Sequence, residues 1–434
     1  MRITGGTLVT MREGDVPAIG DLAISGDRIV APAPGEHDDE IIDAAGCYVM
    51  PGLVQTHVHL VQTIFRGLAE DLALLEWLRS RIWPLEAAHD EASLRATARL
   101  GLLDLLTTGT TTILDMGTTH GGDVVAEELV ASGIRARFGQ AMMDGGAGVP
   151  PGLQETTRGS LDASLTLAKR WNGAGNGRLD YAFAPRFALS CTRELLEAVS
   201  ALSREQGALI HTHSNENLGE RQLVERETGM APAAYLDAVG LVNERAVLAH
   251  GVNLDAAEVA LLRERGAGVT HCPSSNLKLG SGIADVRRLR EAGITVGIGT
   301  DGAACNNRLD GFDELRLAAL LARSLHGPQA LTAAEALVIG TRDGARALGL
   351  ADQIGTLEPG KKADLVILDA ARLAGPAGDP ATRIVFGGGA RAVRDVIVDG
   401  RVVVRDGIAL ALDAGEVRAR AAEALPGLVA RAGL

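Results

Sequence analysis

Aromatic residues are scarce in this 434-residue chain, at 3%, and no stretch reaches the ~18 uninterrupted apolar residues that a membrane-spanning helix requires. The opening Met-Arg-Ile-Thr-Gly-Gly lacks the apolar core of a secretory signal. Cysteine is sparse as well. Cys47, Cys191, Cys272 and Cys305 fit neither a disulfide framework nor a CxxC zinc pattern, which points to a reducing cytoplasm. No run of Lys or Arg is long enough to neutralise a phosphate backbone and the formal net charge is -13, so nucleic acid and anionic membranes are excluded as partners. What is present is ample: 46% hydrophobic residues and 54 glycines suit tightly packed α/β layers around a large core.

Both ends of the chain read as β-structure. Short apolar-rich runs at 3–10, 22–30 and 41–49 are separated by Gly, Asp and Pro, and a matching pattern returns at 355–369 and 392–406, with Asp399-Gly400 as a hairpin turn. Each piece alone is too small to bury a core, so residues 1–49 and 355–412 are expected to pair into one composite β-sandwich. Between them, residues 50–354 alternate short apolar strands with helical stretches. Strand candidates fall at 53–60, 111–115, 136–142, 179–184, 208–213, 246–250, 268–272 and 294–301, and helices follow at places such as 92–106, 193–205, 256–265 and 313–324. Eight such repeats imply a closed (β/α)8 TIM barrel. Residues 413–434 form a last unit, a helix at 414–432 to which the sequence gives no role.

In a parallel barrel the C-terminal strand ends form the active-site floor, and several of these carry metal donors. The first strand ends in Gln55-Thr56-His57-Val58-His59, where the side-chain period of two turns both histidines to one face. The fifth ends in His211-Thr212-His213, the sixth in His250, the seventh in His271 and the eighth in Asp301. Any one of these alone is ordinarily a hydrogen-bonded core histidine or a helix-capping aspartate. Together they offer imidazoles and a carboxylate, a donor set that suits Zn(II) or Fe(II). Periodicity alone leaves His211 and His213 as alternatives. His37, His89, His120 and His326 lie away from strand ends and read as structural or exposed, and Ser274, Ser275 and Asn276 read as a loop lining the pocket.

The motifs PGLVQTHVH (51–59), HSNE (213–216), VLAHG (247–251), HCPSSNLKLGSG (271–282) and GIGTDG (297–302) resemble the amidohydrolase superfamily. Within it they resemble the mononuclear deaminase branch, which includes S-adenosylhomocysteine/methylthioadenosine and 5'-deoxyadenosine deaminases, guanine deaminase and triazine hydrolases. The resemblance makes His57, His59, His213 and Asp301 the ligands of one divalent metal, zinc first and iron second. It selects His213 over His211 because Glu216 follows three residues on. No lysine stands where the binuclear members carry one on the fourth strand. By the same resemblance the catalytic residues are Glu216, His250 and Asp301. A metal-activated water attacks the ring carbon that bears the amino group, Asp301 takes its proton, His250 stabilises developing charge, and Glu216 passes a proton to the ring nitrogen and on to ammonia.

Substrate-reading residues are expected at Gln62, Glu86, Arg186, Glu216 and His271. The segment from Phe65 to Glu86 resembles the nucleoside branch, in which the glutamate matching Glu86 binds ribose hydroxyls. An exposed helix residue is the ordinary alternative for Glu86. Trp77 and Trp83 either cover the ring or pack a lid. Arg186-Phe187 and Gln62 instead resemble guanine deaminase, where they fork onto a ring carbonyl and nitrogen. The expected function is therefore hydrolytic deamination of an adenosine-type nucleoside. Guanine, 8-oxoguanine or pterin deamination and triazine (chloro)hydrolysis stand as alternatives, and a non-catalytic metal-binding member of the fold is the rival outside enzymology. The expected partners are a small heterocyclic substrate and further copies of the chain in a homo-oligomer.

Overall fold

The computed structural model describes residues 1–31 and 40–434; His37 lies outside the described residues. Eight parallel strands close into a barrel: Leu53–His59, Thr110–Asp115, Arg135–Phe138, Leu179–Pro185, Leu209–Ser214, Ala246–His250, Gly268–His271 and Val296–Ile298. The ring shuts where Ile298 pairs with Gln55. These strands are buried on both faces, which is why they read as apolar runs rather than as alternating ones. The eighth strand was expected to run unbroken to Asp301. It breaks at Gly299 and resumes as Asp301–Gly302 beside the first strand. A Cβ at Gly299 would lie 2.6 Å from the His57 carbonyl oxygen, so glycine is required there for the two strands to approach.

Strands from the two termini hydrogen-bond into one nine-stranded sheet. Its seam is the antiparallel pairing of Cys47–Pro51 with Leu365–Asp369. The run expected at 22–30 is a hairpin, Ala18–Ser25 against Arg28–Val30, and the run at 41–49 is two strands, Ile41–Asp43 and Cys47–Pro51. Residues 355–364 are not a strand. Asp399 and Gly400 both take positive φ, as a two-residue hairpin turn demands. The final helix, Ala414–Ala432, packs on the helix Glu91–Thr107 that follows the first barrel strand. Its Ala421 and Leu428 join an apolar cluster with Trp77 and Trp83, and Arg431 Nε donates to the Ala88 carbonyl at 2.8 Å.

Barrel and terminal sheet are joined by a buried charge cluster. Arg135, at the start of the third barrel strand and 2% exposed, donates from Nε and Nη2 to Asp364 at 2.6 and 3.1 Å, and from Nη2 to Asp399 at 3.0 Å. Removing one partner of such a cluster strands the remaining charges without water. Arg135→Met is therefore expected to destabilise the fold by about 3–5 kcal/mol in urea unfolding. A loss under about 1 kcal/mol would show that this clamp does not hold the two units together.

Candidate metal centre and active site

The period-two alternation of the first strand turns His57 and His59 to one side, where His213 of the fifth strand and Asp301 after the eighth meet them. One donor atom from each of these four residues lies within 4.8 Å of the others. His57 Nε2 is 3.3 Å and His59 Nε2 3.5 Å from Asp301 Oδ1, and the Nε2 atoms of His59 and His213 are 3.2 Å apart. His213 Nδ1 donates to the Arg186 carbonyl oxygen at 2.7 Å. A carbonyl oxygen only accepts, so the proton sits on Nδ1 and the Nε2 lone pair faces its neighbours. Burial, then the charges of nearby histidines, hold His59 and His213 well below the ordinary imidazole pKa, and both are neutral at pH 7. Burial opposes ionisation of Asp301, but hydrogen bonding and charge from His57, with charge from His250 and His59, hold it well below the usual carboxylate range. Buried nitrogens with no hydrogen-bond partner, His57 Nε2 among them, complete the fit to a cation. His211 stands beside this group, its Nε2 2.7 Å from His57 Nδ1.

Glu216 and His250, expected from the sequence to be catalytic, stand next to the same point. Glu216 Oε2 lies 3.5 Å from His250 Nε2, which is 4.0 Å from Asp301 Oδ2. Burial, reinforced by Asp301 and Glu220, raises the Glu216 carboxyl well above its usual range. His250 is lowered to about 4 by burial. His250, Asp301 and Asn215 adopt positive φ, a strained backbone for residues other than glycine.

Ser275 and Asn276 have roles the sequence did not disclose. They sit on a short helix, Pro273–Lys278, rather than in a pocket-lining loop. Ser275 Oγ donates to Asp301 Oδ2 at 2.6 Å, and the Asn276 amide meets His250 Nδ1 at 2.9 Å. Ser274, one residue earlier, is anchored by the buried Glu314 through its backbone N–H and its hydroxyl. The adjacency of these residues to His271 was the available signal, but their hydrogen-bond partners were not readable.

The pocket is walled by His59, Gln62, Leu74, Trp77, Leu78, Arg186, Phe187, His213, Glu216, His250 and Asp301. Free space between them is about 20 Å³, room for on the order of one water. Trp77 lines the pocket and Trp83 does not, and both belong to the apolar cluster behind it. Two residues expected to read substrate do not line it. His271 is 2% exposed and lowered to about 3 by burial and by His250. Glu86 is fully buried, and its carboxylate is taken up by Arg186, at 2.6 and 3.1 Å, and by Gln62 Nε2 at 2.9 Å. The residues expected to pull substrate choice in opposite directions thus form one hydrogen-bonded group.

The amidohydrolase family profile matches residues 48–403. A 5-methylthioadenosine/S-adenosylhomocysteine deaminase of Moorella thermoacetica is 39% identical over 415 residues, 94% of this chain and 95% of that one. The crystal structure of an adenosine deaminase from Xanthomonas campestris with bound zinc superposes with a TM-score of 0.92 at 32% identity, covering 99% of this chain and 98% of that one. The guanine deaminase of E. coli does so with a TM-score of 0.84 at 28% identity, covering 93% and 98%. Sequence and fold agree along nearly the whole length, and the chain belongs to the amidohydrolase family.

Proposed function

We propose that this protein is a mononuclear metal-dependent aminohydrolase that releases ammonia from an adenosine-type nucleoside such as 5'-deoxyadenosine, methylthioadenosine or S-adenosylhomocysteine. The observation that carries the reaction is the position of Glu216, a carboxyl raised well above its usual range by burial and set on the same wall as Asp301 and the convergent histidines. The name of the Moorella relative supports the nucleoside. His57, His59, His213 and Asp301 would hold the ion. The bound zinc of the Xanthomonas structure favours zinc, with iron second, since imidazole and carboxylate donors suit both. A divalent ion there supplies water acidified toward a pKa of ~7.

The chain's own groups do the rest. Asp301 Oδ2, held by Ser275, takes the proton of the attacking water while His250 Nε2 orients the oxygen. Glu216 protonates the ring nitrogen beside the amino-bearing carbon, which lets that carbon accept the new C–O bond. Asp301 then gives its proton to the amino nitrogen, the C–N bond breaks to release neutral ammonia, and the hydroxyl proton passes to Glu216 as the ring keeps a carbonyl. Four buried free thiols fit a reducing cytoplasm.

Arg186 and Gln62 on the pocket wall favour a second reading, deamination of guanine, 8-oxoguanine or a pterin. Ammonia release across nucleosides, these bases and triazines separates the readings, and chloride in place of ammonia identifies a triazine chlorohydrolase.

Elemental analysis should find one metal equivalent per chain, and chelation should abolish turnover and lower the Tm. Two equivalents at full occupancy, or an active metal-free enzyme, would contradict the mononuclear centre. Glu216→Gln should retain its metal while kcat falls at least about 100-fold, because the amide keeps the shape but has no proton to transfer. Near-normal turnover would remove Glu216 from the mechanism, and loss of metal would make it a ligand.

A further inference from the structure

Two of the three convergent histidines have their rings fixed from behind. His57 Nδ1 meets His211 Nε2 at 2.7 Å, and His213 Nδ1 donates to the Arg186 carbonyl oxygen at 2.7 Å. His59 has no such holder, since its Nδ1 is buried with no hydrogen-bond partner. The direction of this imidazole is therefore left to its backbone. That backbone is irregular where the first barrel strand ends. Gln55 pairs with Ile113 of the second strand but Val58 pairs with Asp115, so the first strand carries one extra residue here, a bulge that re-aims the side chains around it. One residue after His59 the chain turns into the short 3-10 helix Leu60–Phe65, and His59 occupies the N-cap position without capping it. An imidazole turned to the cluster cannot also satisfy the first N–H of a helix.

Asp115, where the interrupted pairing resumes, supplies what is missing. Its Oδ1 accepts the Leu60 N–H at 2.8 Å, and the adjoining Met116 N–H donates to the Val58 carbonyl oxygen at 3.1 Å. His59 is thus gripped on both sides by consecutive residues at the end of the second strand. Asp115 is fully buried and its Oδ2 has no hydrogen-bond partner. Burial, opposed by the backbone hydrogen bonds it accepts and helped by the charge of Glu86, raises the carboxyl to about 7. Burying a half-satisfied carboxyl weakens a fold, so stability gives no reason for it. We infer that Asp115 is a positioning residue for metal binding: through the Leu60 N–H it fixes the backbone of His59, and with it the direction of an imidazole whose Nδ1 no other group holds. The inference rests on the reading of His59 as a ligand.

Leucine and asparagine both match the shape of aspartate and both remove its charge, but only asparagine keeps an oxygen that accepts the Leu60 N–H. Zinc affinity of the loaded enzyme is measured by competition with a chelator. Asp115→Leu should weaken binding at least about tenfold, while Asp115→Asn should stay within about threefold of the wild type. In the cobalt-loaded enzyme the visible absorption bands, which follow ligand geometry, should move in Asp115→Leu and not in Asp115→Asn. Arg135→Met, which loosens the opposite end of the barrel, shows what lost stability alone does to affinity. Wild-type affinity in Asp115→Leu, equal weakening in Asp115→Asn, or a matching loss in Arg135→Met overturns the inference. If Asp115→Leu does not fold, Asp115→Ser takes its place with the same expected loss, since a serine hydroxyl stops short of the carboxylate oxygens it replaces. A wild type that takes up no metal sinks the metal-centre reading and this inference together. A wild type that binds zinc while Asp115→Leu binds it equally well sinks the inference alone.

Discussion

Everything at this site depends on where the imidazole protons are kept. A cluster of histidines binds a cation when their lone pairs converge, and that requires each proton to be held on the outward nitrogen. For His213 the holder is the Arg186 carbonyl, which also accepts the His213 backbone N–H at 3.0 Å. One residue therefore serves two ends: its backbone orients His213, and its side chain stands on the pocket wall. The convergent histidines and the pocket wall are coupled through a single residue.

Much of the fold was legible because its signals are local. Period-two histidines, strand-ending donors and β/α alternation lie within a few residues of one another, so the eight-stranded barrel follows from the sequence; the termini, expected to pair as a β-sandwich, hydrogen-bond into one nine-stranded sheet. The places of Glu86 and Arg186 do not. They are separated by 100 residues, and each carries a charge that is ordinarily solvated. Only the barrel's curvature brings them together, and composition says nothing about which buried charges find each other. Ser275 and Asn276 were hidden for a related reason. Their sequence reads as a loop, whereas the helix they form is set by its anchor on Glu314, 40 residues away.

The site is also expensive to maintain. Non-glycine residues at positive φ cost of order 1–3 kcal/mol each, and His250, Asp301 and Asn215 are all so placed. Glu314 and Glu220, buried and both raised to about 7 by desolvation, brace the backbone around them through hydrogen bonds to Ser274 and to Glu216 and Asn217. Rigidity is placed where proton positions matter, while the wall of Leu74, Trp77 and Leu78 is held mainly by apolar contacts.

The seam of the terminal sheet has a consequence for how the chain is made. The strand Cys47–Pro51 leaves the ribosome early, but its partner Leu365–Asp369 follows about 300 residues later, roughly 15–60 s at ordinary synthesis rates of about 5–20 residues per second. Throughout that interval the first strands of the sheet expose an unpaired apolar edge, the kind of surface that aggregates or recruits chaperones. The barrel can begin to assemble during elongation. The sheet cannot finish until translation is nearly over, and the nascent protein is at its most vulnerable at its own beginning.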